Sequence, residues 1–357
     1  MTEEVTNNKI LQEDLKSISD TDLPFERLKN STILITGATG LIGVSLARAL
    51  IYINDEHNTN IKVIALVRNK DKAKNIYGNI LKRNDIQLLI NDINNKIETE
   101  ENIDYIFHCA SVTTSKTMIE KPVETLMTSV AGTKNVLDIA MTKKAKSVVY
   151  VSSMEMYGTF SDSDNEITEN ELGYINPLLI RSNYPESKRL CENMCMAYLS
   201  EYNVHVKIAR LAQTFGAGIL PGENRVFAQF ARSVIEGKDI VLHTQGKSEG
   251  NYCYTSDTVI GLLTVLLNGC DGEAYNISNP NTHTTIANMA KMVCKKIAGN
   301  KIKVIFDIPK ENKFGYAADT KMKLNSDKLK ALGWTPKIDL ENAYKRLIES
   351  IKLDSEL

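Results

Sequence analysis

The chain has 357 residues, of which 43% are hydrophobic and 24% are charged. This composition is typical of a folded globular protein and excludes a disordered or collagen-like chain. The 43 Lys and Arg residues and the 44 Asp and Glu residues leave a formal net charge of −1. A protein that binds nucleic acid by neutralising phosphates carries a basic excess, so we expect no nucleic-acid partner.

Hydropathy and cysteine spacing favour a cytoplasmic protein without a membrane contact. No apolar run reaches the ~18 residues that a membrane-spanning helix needs. Residues 1–18 are acidic and polar, where a signal peptide is basic and then apolar. The six cysteines include no Cys-x-x-Cys pair, which favours reduced thiols over a disulfide framework or a metal site.

Residues 31–210 alternate short apolar runs with segments of helical periodicity, after a polar N-terminal extension (1–30) in which we expect a peripheral helix. Strands buried on both faces of a parallel sheet have this apolar, β-branched character. Strands are predicted at Ser31–Thr36, Ile61–Val67, Ile86–Ile90, Tyr105–Cys109, Ser147–Ser152 and Val204–Arg210, with helices at Leu41–Ile53, 122–142 and 182–202. The alternation predicts an α/β fold with a Rossmann-type, doubly wound parallel sheet.

Beyond residue 210 the pattern is looser and predicts that 211–357 form mainly a smaller C-terminal α/β substrate-binding lobe. Helices are predicted at Val226–Ile235, Thr258–Leu267 and Thr285–Ile297, and strands at Ile240–Leu242, Ala274–Ile277 and Lys303–Phe306. We also expect a strand near 240–257 to return to the larger sheet. No low-complexity linker divides the two lobes, so we expect one body with a cleft between them.

A glycine-rich turn joins the first strand to the first helix of the sheet. Gly37, Gly40 and Gly43 stand where a dinucleotide-binding fold needs a tight turn, close approach of a pyrophosphate, and close packing of helix on strand. The N-terminus of the following helix presents free N–H groups to phosphate oxygens. The turn therefore predicts a dinucleotide cofactor, with Thr39, Leu41 and Ile42 beside it.

Tyr184 and Lys188 are four residues apart in a predicted helix and so lie on one face. A nearby ammonium group stabilises a phenolate and lowers the pKa of the tyrosine, which favours a general base for a hydroxyl group. Ser153, at the end of a strand in the same half of the sheet, is the hydroxyl that we expect beside Tyr184.

Three segments together resemble the extended short-chain dehydrogenase/reductases, and among them the nucleotide-sugar epimerases, dehydratases and decarboxylases. They are Thr36-Gly-Ala-Thr-Gly-Leu-Ile-Gly43, Val151-Ser-Ser-Met-Glu-Met-Tyr-Gly158 and Tyr184-Pro-Glu-Ser-Lys188. The resemblance runs from about residue 31 to 350. It implies that Tyr184 deprotonates the C4 hydroxyl of a sugar while hydride passes to the nicotinamide, and that the resulting 4-ketone is processed before the hydride returns. It also implies a homodimer.

The same resemblance implies cofactor contacts from several strand ends. Val67 stands where the family has an Asp for the ribose, and Arg68 follows it, which leaves NADP open. NAD is the first expectation because the cofactor is recycled. The other implied contacts are Asp92 and Ile93 near the adenine, and Cys109, Ala110, Ser111, Ser152, Tyr184 and Lys188 along the cofactor.

Glu155 is implied as a possible second base, and Met154 stands where dehydratases of the dTDP-glucose type have an acidic proton donor. Asn176, Pro177 and Arg181 resemble the segment before the catalytic tyrosine in UDP-glucuronate decarboxylases. Gly250, however, replaces an Arg of those enzymes. The implied substrate contacts are Ser153, Met154, Glu155, Arg181, Gln213 (an Asn in the family), Arg225, Val226 and Tyr254.

These residues predict an NAD-dependent nucleotide-sugar epimerase or dehydratase that acts through C4 oxidation, with a nucleotide-diphosphate sugar as substrate. Three alternatives stay open. One is a UDP-glucuronate decarboxylase-type enzyme. The second is an NADP-dependent nucleotide-sugar reductase, favoured by Arg68, and the third is a non-catalytic nucleotide-binding sensor on the same fold.

Overall fold

The computed structural model describes residues 4–160, 166–220, 222–309 and 320–355. Among these residues the strands are β1 (Thr32–Thr36), β2 (Lys62–Val67), β3 (Ile86–Ile90), β4 (Tyr105–His108), β5 (Ser147–Ser153), β6 (Val206–Leu211), β7 (Gln213–Phe215), β8 (Ile240–Leu242), β9 (Glu249–Tyr254), β10 (Ala274–Ile277), β11 (Asn279–Thr285) and β12 (Val304–Phe306). The α-helices are α1 (Lys9–Ser19), α2 (Leu41–His57), α3 (Lys70–Tyr77), α4 (Ser115–Glu120), α5 (Pro122–Lys143), α6 (Asn183–Tyr202), α7 (Val226–Glu236), α8 (Thr255–Asn268), α9 (Ile286–Met292), α10 (Asp327–Lys330) and α11 (Leu340–Ser355). Short 3-10 helices cover Phe25–Leu28, Gly78–Lys82, Met154–Tyr157 and Ile180–Ser182, and a π-helical turn covers Val293–Ile297.

Seven parallel strands form the main sheet in the order β10-β6-β5-β4-β1-β2-β3. The predicted α/β fold with a doubly wound parallel sheet is confirmed. The chain runs outward from β1 to β3 and then outward in the opposite direction from β4, so the strand order reverses between β1 and β4. In sheets of this kind, ligands bind in the crevice at the carboxyl ends of the strands where the order reverses.

Strand β1 shows why the sheet is apolar on both faces. Ile33 and Ile35 are fully buried in a core that includes side chains of α2 and α8. Leu34, between them, is fully buried in a second core with side chains of α5 and α6. Successive side chains of a strand point to opposite faces, so each strand of such a sheet needs apolar residues at consecutive positions.

The smaller region differs from the prediction in its strand pairing. The strands near 240–257 do not join the large sheet: β8 pairs with β12, and β9 pairs with β7 and β11. The seventh strand of the large sheet is β10, which lies parallel to β6. The reason lies in α8, which follows β9, is buried from Thr255 to Leu267, and covers the large sheet before the chain enters β10.

The helix predicted in the N-terminal extension is present as α1, but it is not peripheral. Leu15 and Ile18 are buried in the same core as β1, and Ile10 is buried in the core of the smaller region. The side chain of Asn8 caps α1 and donates hydrogen bonds to Ser350 and Asp354 of α11. Helix α1 therefore joins both cores to the C-terminal helix.

Candidate active site

The glycine-rich turn lies where the strand order reverses, and backbone contacts explain its glycines. Gly37 has a positive φ of 64°, and a Cβ atom there would lie 2.7 Å from the backbone nitrogen of Ala110 after β4. A Cβ atom on Gly43 would lie 2.5 Å from the carbonyl oxygen of Gly37. Gly40 is the N-cap of α2. The residues present therefore fit a pyrophosphate group at the start of α2, with Thr39, Leu41 and Ile42 beside it.

Tyr77, which the sequence did not single out, supports this turn from α3. Its hydroxyl donates a hydrogen bond of 2.5 Å to the carbonyl oxygen of Ala38. Burial raises the pKa of the Tyr77 hydroxyl well above its usual value, so it remains a donor. The contact joins residues 39 positions apart, and no local sequence signal predicts it.

The residues expected at the adenine end lie after β2 and β3. Arg68 has a side chain that is 74% exposed, with Nη1 3.9 Å from Oδ2 of Asp92. Ile93 is buried, and its side chain would lie 3.0 Å from a Cβ atom placed on Gly132 of α5. The structure thus brings Arg68 and Asp92 together at the edge of the crevice.

The strand end after β4 forms a wall of the crevice through Cys109, Ala110 and Ser111. Thr36 Oγ1 accepts a hydrogen bond from the Ala110 nitrogen and lies 2.7 Å from Nδ1 of His108. Burial, assisted by Lys188, lowers the pKa of His108 to about 3, so its ring is neutral. Burial also raises the pKa of the Cys109 thiol to about 12, which leaves it protonated and unreactive.

Tyr184, Lys188 and Ser153 come together beside this wall. Lys188 is buried, donates through Nζ to the carbonyl oxygen of Val151 at 2.8 Å, and lies 5.8 Å from the centre of the Tyr184 ring. Ser153 ends β5 and accepts a hydrogen bond from the Glu155 nitrogen. Ser153 and Ser111 lie close enough to Tyr184 to oppose the rise in its pKa that burial causes. The hydroxyl cluster has the composition needed for proton exchange with a sugar hydroxyl.

The direction of the Tyr184 pKa differs from the sequence expectation. Burial raises the pKa of Tyr184 to about 12, and the Glu155 carboxylate acts in the same direction. Hydrogen bonding to Ser153 and the charge of Arg181 oppose this rise. The expected lowering by Lys188 is overcome because the phenol lies in a site closed to water, where a charged form is disfavoured.

Glu155 and Arg181, which the sequence suggested for different tasks, are bound to each other. Arg181 Nη2 lies 2.8 Å from Oε2 and 3.2 Å from Oε1 of Glu155, and the two side chains are 28% and 33% exposed. The Arg181 guanidinium also lies 5.8 Å from the centre of the Tyr184 ring. Met154 is buried next to this pair and offers no proton.

A family comparison agrees with this arrangement. Residues 33–278 match the model of the "NAD dependent epimerase/dehydratase family". The chain belongs to this family. The predicted class, an NAD-dependent nucleotide-sugar enzyme of the epimerase/dehydratase kind, is therefore confirmed.

Curated relatives of this family member include UDP-glucuronic acid decarboxylases. The chain is 28% identical over 330 residues to UDP-glucuronic acid decarboxylase 1 of Xenopus tropicalis. The alignment covers 91% of this chain and 73% of that protein. It is also 28% identical over 325 residues to UDP-glucuronic acid decarboxylase 6 of Arabidopsis thaliana. This alignment covers 91% of this chain and 90% of that protein.

Solved structures with the same fold come from several branches of the family. UDP-glucose 4-epimerase of Thermotoga maritima, solved with UDP-glucose, has a TM-score of 0.75 at 22% identity and covers 91% of this chain and 99% of that one. UDP-glucuronic acid 4-epimerase of Bacillus cereus, solved with UDP-glucuronic acid and NAD, has a TM-score of 0.75 at 21% identity and covers 90% and 99%.

On the substrate side, this family member holds its candidate side chains in internal contacts. Arg225 Nη2 lies 2.7 Å from Oε2 of Glu223, and its guanidinium lies over the Phe227 ring. Val226 begins α7, and Gln213, half-buried, begins β7. The Arg225 side chain is therefore already bound within the protein.

Tyr254 is not placed to bind substrate, which corrects the expectation. It is buried, its hydroxyl donates to Oδ2 of Asp14 at 2.8 Å, and it accepts a hydrogen bond from the Ala217 nitrogen. The reason is that α1 lies over this position, which a sequence reading that treated residues 1–30 as peripheral could not anticipate.

The Ser152 side chain, expected along the cofactor, is also hydrogen-bonded within the protein. Its hydroxyl donates a hydrogen bond of 2.5 Å to Glu192 Oε1. Glu192 and Arg210, its ion-pair partner, were missed by the sequence reading. The spacing of Glu192, one helical turn after Lys188, is the signal that could have found it.

Two absences concern only the described ranges. Within residues 4–160, 166–220, 222–309 and 320–355, no three His, Cys, Asp or Glu side chains are arranged to hold a metal ion. No helix in those same ranges is long and apolar enough to cross a bilayer.

Proposed function

We propose that this enzyme oxidises C4 of a nucleotide-linked hexuronic acid and releases its C6 carboxylate as CO2 through a 4-keto intermediate. The observation that carries the proposal is the Arg181–Glu155 pair beside Tyr184. It places a guanidinium, suited to a sugar carboxylate, within reach of the group that starts the oxidation. The UDP-glucuronic acid decarboxylases among the relatives support this choice.

The turn at Gly37, Gly40 and Gly43 would hold the pyrophosphate of NAD, and the strand ends after β2 to β5 would line the rest of the cofactor. When bound, NAD supplies the hydride acceptor for C4 and takes part again when the hydride returns. Arg68 is exposed at the adenine end and has Asp92 as a partner, so it adds no closed pocket for a 2′-phosphate. This arrangement supports NAD over NADP.

Tyr184 would take the proton of the C4 hydroxyl, with Ser153 hydrogen-bonded to the same oxygen. With a pKa of about 12 the phenol is protonated at neutral pH, so positive charge must favour its ionisation during the reaction. Lys188 and Arg181, each 5.8 Å from the centre of the Tyr184 ring, are the cations in place. Proton loss from the C4 hydroxyl would therefore depend on these two cations.

Arg181 can bind a sugar carboxylate without releasing Glu155. Its hydrogen bonds to Glu155 use Nη2 alone, and among the described residues no partner is found for Nη1 or Nε. Once C4 is a ketone, the C6 carboxylate belongs to a β-keto acid. The C5–C6 bond breaks, its electron pair moves toward the C4 oxygen, and Tyr184 and Ser153 hydrogen-bond to that oxygen as it gains charge. C5 then takes up a proton.

Loss of water is less well supported. Dehydration needs a proton donor for the leaving hydroxyl, and the side chain next to Glu155 on the 3-10 helix is that of Met154. A thioether cannot protonate a leaving group. The structure therefore favours the decarboxylation alternative over dehydration.

The test is incubation of the purified protein, without added cofactor, with UDP-glucuronic acid, UDP-glucose and the corresponding dTDP, GDP and CDP sugars. We expect a product lighter by about 44 Da from the uronate, the mass of CO2. A product lighter by about 18 Da, or one of unchanged mass with inverted C4, would reject decarboxylation in favour of dehydration or epimerisation. Stoichiometric consumption of NADPH would identify a reductase, and no turnover with any sugar would favour a sensor.

We also propose a homodimer in the cytoplasm. Helices α5 and α6 pack together and carry exposed apolar side chains, Met127, Leu190 and Tyr202. Met194 and Met196 pack in the core, and Tyr198 donates to Asp138. Light scattering of wild type and Leu190→Glu tests the dimer, which the charged variant should dissociate.

The proposed cytoplasmic location is supported by the cysteines. All six are free thiols, which suits a reducing compartment.

A further inference from the structure

Glu192 occupies a central place behind the candidate active site. It lies on α6 one turn after Lys188 and two turns after Tyr184, and it is only 6% exposed. Its Oε1 accepts hydrogen bonds from Ser152 Oγ at 2.5 Å and Arg210 Nε at 3.1 Å. Its Oε2 accepts one from Arg210 Nη2 at 2.7 Å. One carboxylate thus joins the catalytic helix to β5 and β6.

The network continues to the segment that carries Glu155. Arg210 Nη1 donates to the Tyr157 hydroxyl at 3.0 Å, and that hydroxyl donates to Asn276 Oδ1 at 2.7 Å. Tyr157 ends the 3-10 helix that begins at Met154. Every side chain of this network is buried. The helix with Tyr184 and the strand end with Ser153 are therefore held by the same ion pair.

Glu192 also lies one helical turn after Lys188 on the same face of α6. Burial lowers the pKa of Lys188, whereas Cys191 and Glu192 act in the opposite direction. The thiols carry no charge when protonated, and burial raises the pKa of Cys195 well above its usual value. The titratable groups facing Lys188 are Tyr184, Cys191, Glu192 and Cys195 on α6, His108 and Cys109 at the end of β4, and Tyr150 on β5.

We propose that Glu192 is a positioning residue for this reaction, which holds the Ser152–Ser153 strand end against α6 and places a carboxylate one helical turn from Lys188. The proposal rests on the proposed roles of Tyr184, Ser153 and Lys188. It assigns to Glu192 an effect on the chemical step and on its pH range, in addition to the packing that a buried ion pair provides.

Glu192→Gln tests the proposal because it keeps the size of the side chain and an acceptor for Ser152 while removing the charge. We expect kcat to fall by about 10- to 100-fold with KM changed by less than about twofold, since substrate does not touch Glu192. The alkaline limb of the kcat profile should move to lower pH, because Lys188 then loses its proton more readily. Glu201→Gln, the same change at the exposed end of α6, should leave both unchanged.

A direct titration separates this effect from turnover. The Cε signal of Lys188 in 13C-lysine-labelled protein, assigned with Lys188→Arg, should titrate at lower pH in Glu192→Gln than in wild type. Glu192→Asp should restore part of the shift.

Loss of stability is the competing explanation, since Glu192→Gln leaves Arg210 buried without its anion. The double variant Glu192→Gln/Arg210→Met removes that unpaired charge and should recover thermal stability. If it also recovers the kcat of wild type, or if the titration of Lys188 does not move in Glu192→Gln, the proposal is overturned. If Tyr184→Phe stays active, the proposed function itself fails, and the two failures are thereby distinguished.

Discussion

The cofactor side and the substrate side of the crevice are built in different ways. On the cofactor side, backbone contacts decide the geometry: Gly37 and Gly43 are required because other backbone atoms lie within 3 Å of where a side chain would begin. On the substrate side, long side chains decide it, and each is paired within the protein. Arg181 binds Glu155, and Arg225 binds Glu223.

This difference separates positions that tolerate few side chains from positions whose pairing can change. Backbone cradles tolerate little variation, since any added atom collides with main chain. An arginine that is held by one nitrogen, as Arg181 is, can in contrast accept a substrate carboxylate through its other nitrogens. Chemistry at the nicotinamide end should therefore follow the family, whereas choice of sugar should depend on the Arg181–Glu155 and Arg225–Glu223 pairs.

The largest effect is expected from Tyr184→Phe, which removes the proposed base and leaves the backbone cradle intact. Activity should fall by about 10²- to 10⁴-fold, the usual contribution of a general base. NAD affinity, measured by calorimetry, should stay within about threefold because the glycine turn is unchanged. An active Phe variant would contradict the assignment of Tyr184.

Gly37→Ala should disturb the glycine turn on the cofactor side, because the added methyl group collides with backbone atoms. A methyl group there would lie 2.7 Å from the Ala110 nitrogen, and the φ of +64° disfavours any side chain. We expect the free energy of unfolding to fall by about 3 kcal/mol. If the turn shifts and the fold survives, the free energy of NAD binding should weaken by a comparable amount.

Gly299→Ala is the matched control, since Gly299 also has a positive φ, of 59°, but no atom lies within 4 Å of the added methyl group. It should cost only about 1 kcal/mol. Equal losses in the two glycine variants, measured by chemical denaturation, would show that the contact with Ala110 has no consequence.

Asp14 gives the stability of the protein a pH dependence. Burial raises its pKa from 3.8 to about 6, although Arg346 and Tyr254 oppose the rise. The folded protein therefore holds a proton that the unfolded chain releases between these values, so the free energy of unfolding falls as pH rises from about 4 to 6. The loss amounts to about 3 kcal/mol at most.

In Asp14→Asn this pH-dependent fall should be absent, as checked by urea denaturation of both proteins between pH 4 and 7.

Tyr254→Phe should leave KM for the sugar unchanged, because the hydroxyl is bound to Asp14. A KM increase of tenfold or more would restore Tyr254 to the substrate site.

The smallest effect is expected from Arg68→Ala. Its side chain is 74% exposed and 3.9 Å from Asp92, and exposed pairs contribute about 0–1 kcal/mol. Affinity for NAD should change by less than about threefold. A large gain in NAD affinity with loss of NADP binding would instead favour the reductase alternative.

The sequence was most informative where function depends on local spacing. The strand, the glycine turn and the helix that follow one another from Thr32 to His57 were predicted, as were the shared face of Tyr184 and Lys188 and the parallel sheet. In each case the residues that interact are close in sequence, so that periodicity and turn chemistry carry the information.

The parts that were missed depend on distant partners. Tyr254 contacts Asp14 across 240 positions, and the final strand of the sheet is β10 because α8 covers the sheet before it. Glu155 and Arg181 were both singled out, but their pairing was not, since nothing in spacing alone shows which of two charged residues faces the other. The raised pKa of Tyr184 also follows from burial, which only the folded chain shows.

The joining of α1 to α11 has a consequence for biosynthesis. Asp14 and Arg346 lie 332 positions apart in the chain. At about 5–20 residues per second, the ribosome needs roughly 20–70 s to reach Arg346 after making Asp14. Through that interval Asp14 lacks Arg346, and the core of the smaller region lacks the side chains that α11 contributes. The contacts that hold α1 against α11 can therefore form only late in synthesis.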